Sequence, residues 1–153
     1  MNSELMQVRE FHSHIGESVS NIPRLLDHEP ESDHQLAQML RQIVDSFNGR
    51  QEKPSQLIRR SLMAIEELAE WVEAHAEADL VAAADAWGDR AYVLLGDAVA
   101  VGLPADAIFE EVHRSNMTKF GTSANSGKGI KSDGFQRPDL QKVLLNAGTA
   151  KEI

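Results

Sequence analysis

The chain has 153 residues and no cysteine, with 42% apolar and 25% charged residues, a formal net charge of −9 and a pI near 5.1. That length is one ordinary domain with room for a core, and this composition excludes a disordered chain. It also excludes disulfide and thiolate chemistry, and the acidic balance argues against a nucleic-acid backbone as partner, because that needs a basic face. No apolar run approaches the roughly 20 residues of a membrane span, and the start "MNSELMQVREF" lacks a signal-peptide core. A cytoplasmic chain without a membrane partner is the resulting expectation.

Helical signals run through the chain in order. Val8, Phe11 and Ile15 give a short amphipathic segment ending at Gly16. "NIPRLLDHEPESDH" is polar and broken by proline, and reads as a loop. A second helix is predicted from about His34 to Phe47, and a third from just after Pro54 to about Glu77. On the third, Ile58, Leu62, Ile65, Ala69, Val72 and Ala76 fall within roughly 80° of arc, a buried stripe. Asp79 is placed to cap a fourth helix that runs to about Val101, with Leu80, Ala84, Trp87, Ala91, Leu94 and Ala98 as its core stripe. A fifth follows from about Ala105 to Lys119. From Gly121 to Pro138 the chain is Gly-, Ser- and Lys-rich without periodicity, and a short helix over about Asp139 to Asn146 closes it. The fold class is all-α, with no strand pattern of useful length.

Charge is concentrated in one place. Between Ser61 and Asp89 stand Glu66, Glu67, Glu70, Glu73, Glu77, Asp79, Asp85 and Asp89, with no Lys or Arg among them. Like charges three or four apart cost an isolated helix about 0.2–0.5 kcal/mol per pair. Glu66, Glu67 and Glu70 share one arc beside the apolar stripe of the third helix. Asp85 and Asp89 lie on one side of a fourth helix that is apolar nearly all round, where a carboxylate is costly unless paired or bound to a cation. Two consecutive helices forming a hairpin would bring these groups together. Hard oxygen ligands without Cys or paired His suit Mg²⁺ or Mn²⁺ better than Zn²⁺. Glu73, Glu77 and Asp79, near the turn, read as solvated surface.

The basic counterpart is downstream: Lys119, Lys128, Lys131, Arg137 and Lys142 against Asp133 and Asp139. Such a loop would close over a polyphosphate. "GTSANSGKG" is not a P-loop: it has one residue too many, Gly129 replaces the Ser or Thr, and a helix precedes it. His12 and His14 are alternate residues and cannot share one helix face. Trp71 and Trp87 are assigned to the core or to a subunit interface.

These segments resemble a known family. "EELAE" (Glu66 to Glu70) matches the EExxE signature of the MazG-like all-α nucleoside triphosphate pyrophosphohydrolases, and "ADAWGDRAYVLLG" is similar to their second acidic helix. "VREFHSHIG", "IFEEVHRSNMTKF" and "GKGIKSDGFQRPDL" resemble a subgroup with small dUTPase-like members. The similarity covers most of residues 6–145, apart from about 20 to 53. One departure stands out: relatives write the second motif as ExxD, but Ala86 occupies the position three before Asp89, leaving Asp85 as the nearest acid. Arg90 also departs from the usual apolar residue.

The resemblance implies a single MazG-like domain over 1–153 with a four-helix-bundle-type core, an acidic helix hairpin and a C-terminal basic loop. It implies cleavage between the α- and β-phosphates of a nucleoside triphosphate, with a dNTP of the dUTP or dGTP class as the expected substrate. Two or more Mg²⁺ ions would be held by Glu67, Glu70 and Asp89, with Asp85 in support. Glu66 or Glu67 would orient or deprotonate the attacking water. Asn116 and Lys119 would contact sugar or phosphates, Lys128, Lys131 or Arg137 would complete the clamp, and Phe11, His12 and Ile15 would form the base pocket. A homodimer or homotetramer is implied. The alternatives are a phosphoribosyl-ATP pyrophosphohydrolase, which uses a similar bundle, and a non-catalytic helical dimerisation module, which only Ala86 favours.

Overall fold

The computed structural model describes residues 2–50 and 52–148, so the ends of the expected 1–153 domain lie outside the described residues. The chain forms two compact units: residues 22–101, and residues 1–21 together with 102–153. The architecture is all-α apart from one short hairpin.

The first unit is built from α2 (Pro30–Asn48), α3 (Gln56–Ala76) and α4 (Leu80–Val101). Helix α2 begins four residues before the sequence reading placed it, inside the stretch taken as loop. The reason is local: Pro30 at the first helical position loses no hydrogen bond, and Glu31 and Asp33 favour the positive helix start. Asp33 also reaches back to accept the Glu29 amide at 2.9 Å. Ser55 caps α3 by accepting the Ile58 amide at 3.2 Å. Only three residues separate α3 from α4, and Ala78 among them takes a left-handed φ of 55°. Asp79 then caps α4, as its side chain and position implied, accepting the amides of Val81 and Ala82 at 2.9 and 3.0 Å.

Helix α3 packs against both α2 and α4. Its covered face is the one the periodicity picks out: Leu62, Ala69 and Ala76 are buried, and Ile58, Ile65 and Val72 are half-buried. Helix α4 is different. Its buried residues are Ala83, Ala86 and Val93, whereas Leu80, Ala84, Trp87 and Leu94 of the predicted core stripe are exposed and Ala91 and Ala98 are half-buried. The small residues face α3 and let the two helices approach closely; the larger ones face out.

The second unit contains α1 (Asn2–Ile15), α5 (Ala105–Asn116), β1 (Phe120–Thr122), β2 (Gly129–Ile130) and α6 (Leu140–Asn146). Helix α1 ends on Gly16 at φ 79°, with the Glu17 amide donating to the His12 carbonyl at 2.8 Å, a left-handed helix stop. Helix α1 packs on α5 and β1, and α5 on α6. Helix α5 stops at Asn116, three residues short of the sequence reading, because Phe120 pairs with Ile130 in an antiparallel hairpin. Short strands of this kind carry too little alternation to be seen in a sequence. Among the described residues no single helix is long and apolar enough to cross a membrane.

Candidate active site

The α3–α4 hairpin positions five carboxylates. Glu66, Glu67 and Glu70 lie on α3, Asp85 and Asp89 on α4; Glu67 is half-buried and the other four are exposed. The Glu67 Oε2 is buried and has no hydrogen-bond partner. Burial pushes the Glu67 carboxyl above the usual carboxylate value of 4.5, and Glu70, Asp89, Glu66 and Asp85 each push it further the same way. All four other acids of the proposed set therefore act on one half-buried carboxyl. Asp85 is within this field, whereas Ala86 is 3% exposed on the covered face of α4.

This donor set suits a hard divalent cation: only oxygens, all anionic, one of them buried and unpartnered. As the side chains stand, no group of three or more His, Asp or Glu among the described residues is arranged to hold a metal ion. Carboxylates without a cation repel one another. Helical neighbours three or four apart have Cβ atoms only about 5–6 Å apart, which sets Glu67 beside Glu70 on α3 and Asp85 beside Asp89 on α4.

Positive charge reaches the cluster from α2. Arg41 Nε donates to Glu73 Oε1 at 2.6 Å, and the pair is partly buried. The Arg41 hydrogen bond holds the Glu73 carboxyl below its usual range. Arg41 is itself raised by Glu73, with smaller contributions from Glu70 and Glu66. Glu73 is thus an ion-pair partner and not the solvated surface group the sequence reading made it. Arg41 and Glu66 also line a small cleft of about 100 Å³ with Asp45 and Asn48. At the other end of α4, Asp97 is paired with Arg60, whose guanidinium also reaches the Val93 carbonyl at 3.1 Å. A Cβ at Gly96 would stand 2.7 Å from that guanidinium, so glycine there makes room for the pair.

In the second unit, Phe11, His12, Ile15, Asn116, Lys119, Lys128 and Lys131 line one cleft of about 650 Å³. Residues more than 100 apart in sequence are brought together here by α1, the end of α5 and the hairpin. Lys119 Nζ donates to Asn116 Oδ1 at 2.7 Å and lies 5.9 Å from the Phe11 ring centroid. The hairpin closes against them at Gly129, where a Cβ would meet Lys119 at 3.0 Å and Phe11 at 3.1 Å. Arg137 is exposed and does not line this cleft; its carbonyl accepts from Arg114 at 3.1 Å. The two α1 histidines serve separate backbone carbonyls, His12 that of Ser18 at 3.2 Å and His14 that of Lys119 at 2.8 Å.

Three participants escaped the sequence reading. Arg41 lay in the stretch without recognisable motif. Glu17 adds an acid to the lysine cleft. Phe135 sits under two cations, 4.9 Å from Lys131 and 6.0 Å from Lys119. Only the aromatic amid lysines was a visible signal.

Residues 41–116 match the family described as phosphoribosyl-ATP pyrophosphohydrolase. The match takes in the end of α2 and all of α3, α4 and α5, and so all five carboxylates of the hairpin. No curated protein and no solved structure matches the chain.

Proposed function

We propose, from the match of residues 41–116 to the phosphoribosyl-ATP pyrophosphohydrolase family of the MazG-like all-α superfamily, that the chain is an enzyme that hydrolyses the α–β anhydride of a nucleoside triphosphate. The observation that carries this reading is the buried, unpartnered Glu67 Oε2 surrounded by four further carboxylates.

In this reading Glu67, Glu70 and Asp89 hold divalent cations, with Asp85 at the edge of the set. Mg²⁺ held there, or Mn²⁺ in its place, would supply charge to offset the phosphate oxygens and would make water a better nucleophile. Glu66 or Glu67 orients the attacking water and takes its proton. Water oxygen bonds to the α-phosphorus, the bond from that phosphorus to the bridging oxygen breaks, and pyrophosphate leaves with the electron pair. Within the second unit taken by itself, Lys119, Lys128 and Lys131 offer cations to an anionic ligand, and Asn116 a hydrogen-bonding group.

Two substrates fit. A dNTP of the dUTP or dGTP class is supported by the cleft of the second unit, whose walls are the α1 and hairpin segments that resemble the dUTPase-like subgroup. Phosphoribosyl-ATP is supported by the family match itself. Pyrophosphate release from metal-loaded protein, measured over NTPs, dNTPs and phosphoribosyl-ATP, tests both. Release from none of them, with Glu70→Gln changing nothing, would refute the enzyme.

The exposed apolar residues of α4 also support self-association. Val81 is 81% and Val99 83% exposed on one side of the helix, and Leu94 69% on another. A homodimer or homotetramer burying them is proposed, and Leu94→Glu would lower the native mass.

A further inference from the structure

The α3–α4 hairpin carries a second feature that the hydrolysis chemistry does not use. Beside the turn lies a pocket of about 330 Å³, lined by Trp71, His75, Ala83, Ala84, Trp87 and Arg24 among others. His75 is only 5% exposed. Its Nδ1 lies 2.8 Å from the Trp71 carbonyl. A carbonyl only accepts, so Nδ1 carries the proton, and Nε2 is the acceptor of the neutral ring. That Nε2 is buried and has no partner. Aromatic rings surround it: Trp71 and His75 have centroids 4.4 Å apart with planes tilted by 54°, and His28 lies edge-on to His75 at 6.4 Å. One indole, Trp87, is 44% exposed. An orphaned buried acceptor is costly, and a pocket with aromatic walls and one convergent polar atom is built for a ligand that supplies the donor.

We propose that this pocket is the nucleobase subsite: a planar heteroaromatic ring stacks on Trp87 and donates a ring or exocyclic N–H to His75 Nε2. The inference rests on the reading of the neighbouring carboxylates as a nucleotide-hydrolysing site. Trp71 lies four residues on from Glu67, on the same side of α3. The pocket therefore starts within about one helical turn, ~5 Å, of that carboxylate, the span of a single sugar. Aromatic stacking accepts any base through its π-face, and the single acceptor at His75 reads only a donor. Base recognition then moves away from Phe11, His12 and Ile15, whose cleft holds three lysines and suits anionic groups.

The chain's two tryptophans both line this pocket, so their fluorescence reports on it directly. Metal-free full-length protein is titrated with nucleosides, which lack phosphate and cannot be hydrolysed. We expect saturable quenching, weakened about tenfold by His75→Phe through loss of one buried hydrogen bond. An analogue N-methylated at the donor position should bind as weakly. Ala84 is exposed, so Ala84→Leu narrows the pocket without entering the core and should abolish the quenching even where His75→Phe fails to fold. Glu70→Gln should leave it unchanged. The proposal is overturned if no nucleoside alters the emission, if quenching survives Ala84→Leu, or if the emission follows protein dilution, which would mean that a second copy fills the pocket. Quenching without pyrophosphate release would refute the hydrolysis reading alone, and release without quenching would refute this subsite alone.

Discussion

Helices α3 and α4 are of almost equal length, 21 and 22 residues, and pack on each other, yet α3 buries more of its side chains. Helix α3 lies between two neighbours and covers Leu62, His75 and three alanines, with Ile58, Ile65 and Val72 half-covered. Helix α4 packs chiefly on α3, covers Ala83, Ala86 and Val93, and leaves Leu94, Leu95 and Val99 outside. The same division holds for charge. Glu67 of α3 is half-buried, whereas Asp85 and Asp89 of α4 are exposed. Helix α3 is thus the structural and electrostatic centre of the hairpin, and α4 is a lid of small residues whose outer face is available to another body. The comparison can be broken at several points.

The largest difference should appear in catalysis. Glu67→Gln and Glu70→Gln on α3 are expected to lower pyrophosphate release by about a thousandfold, since they remove ligand charge from the transition state. Asp85→Asn on α4 should cost about tenfold, and steady-state rates at saturating Mg²⁺ separate these cases. Equal losses at Glu67 and Asp85 would remove the asymmetry.

Packing should show it next. Leu62→Ala removes a side chain that is 9% exposed and should cost roughly 2–4 kcal/mol in urea unfolding. Leu94→Ala, at 69% exposure, should cost less than about 0.5 kcal/mol in dilute protein and should weaken association instead.

A smaller effect follows from the Glu67 carboxyl. Its folded value is raised above the ordinary 4.5, so its stabilising contribution is complete below the ordinary value and is lost as pH rises through the raised one. Glu73 has the opposite sign, because Arg41 lowers it: its contribution is present above the ordinary value and is lost as pH falls below it. Without metal, Glu67→Gln should match the parent near pH 4 and melt roughly 2–4 °C higher at neutral pH, about 1 kcal/mol in a chain of this size. Saturating Mg²⁺ should remove or reverse that gap. The smallest change should come from Ala78→Gly in the turn, which relieves a left-handed alanine and should raise the melting temperature by about 2 °C.

Much of this hairpin was legible in the sequence. The arc of Leu62, Ala69 and Ala76, the cap at Asp79 and the grouping of the five acids all follow from a 3.6-residue period on helices bracketed by strong stops. The inward face of α4 was not legible, because a helix apolar nearly all round gives no phase, and size misleads: the covered residues are alanines. Arg41 was hidden for another reason. It acts on Glu73 from 32 residues away, on a helix that carries no recognisable motif. The meeting of Phe11 with Lys119 and Gly129 needed the hairpin, and five strand residues carry no periodic signal.

Ala86 remains the sharpest sequence anomaly, and its 3% exposure against α3 gives it a structural reason. A glutamate there would have to enter the helix–helix contact. Ala86→Glu is expected to destabilise the metal-free protein and to regain stability with Mg²⁺.

The most direct test of the central claim is the product analysis of a metal-dependent turnover in ¹⁸O-labelled water. Nucleoside monophosphate and pyrophosphate in equal amounts, with the label in the monophosphate and nothing formed by Glu70→Gln, is the expected result. Orthophosphate as the product, label in the pyrophosphate, or turnover undiminished in Glu70→Gln would contradict it.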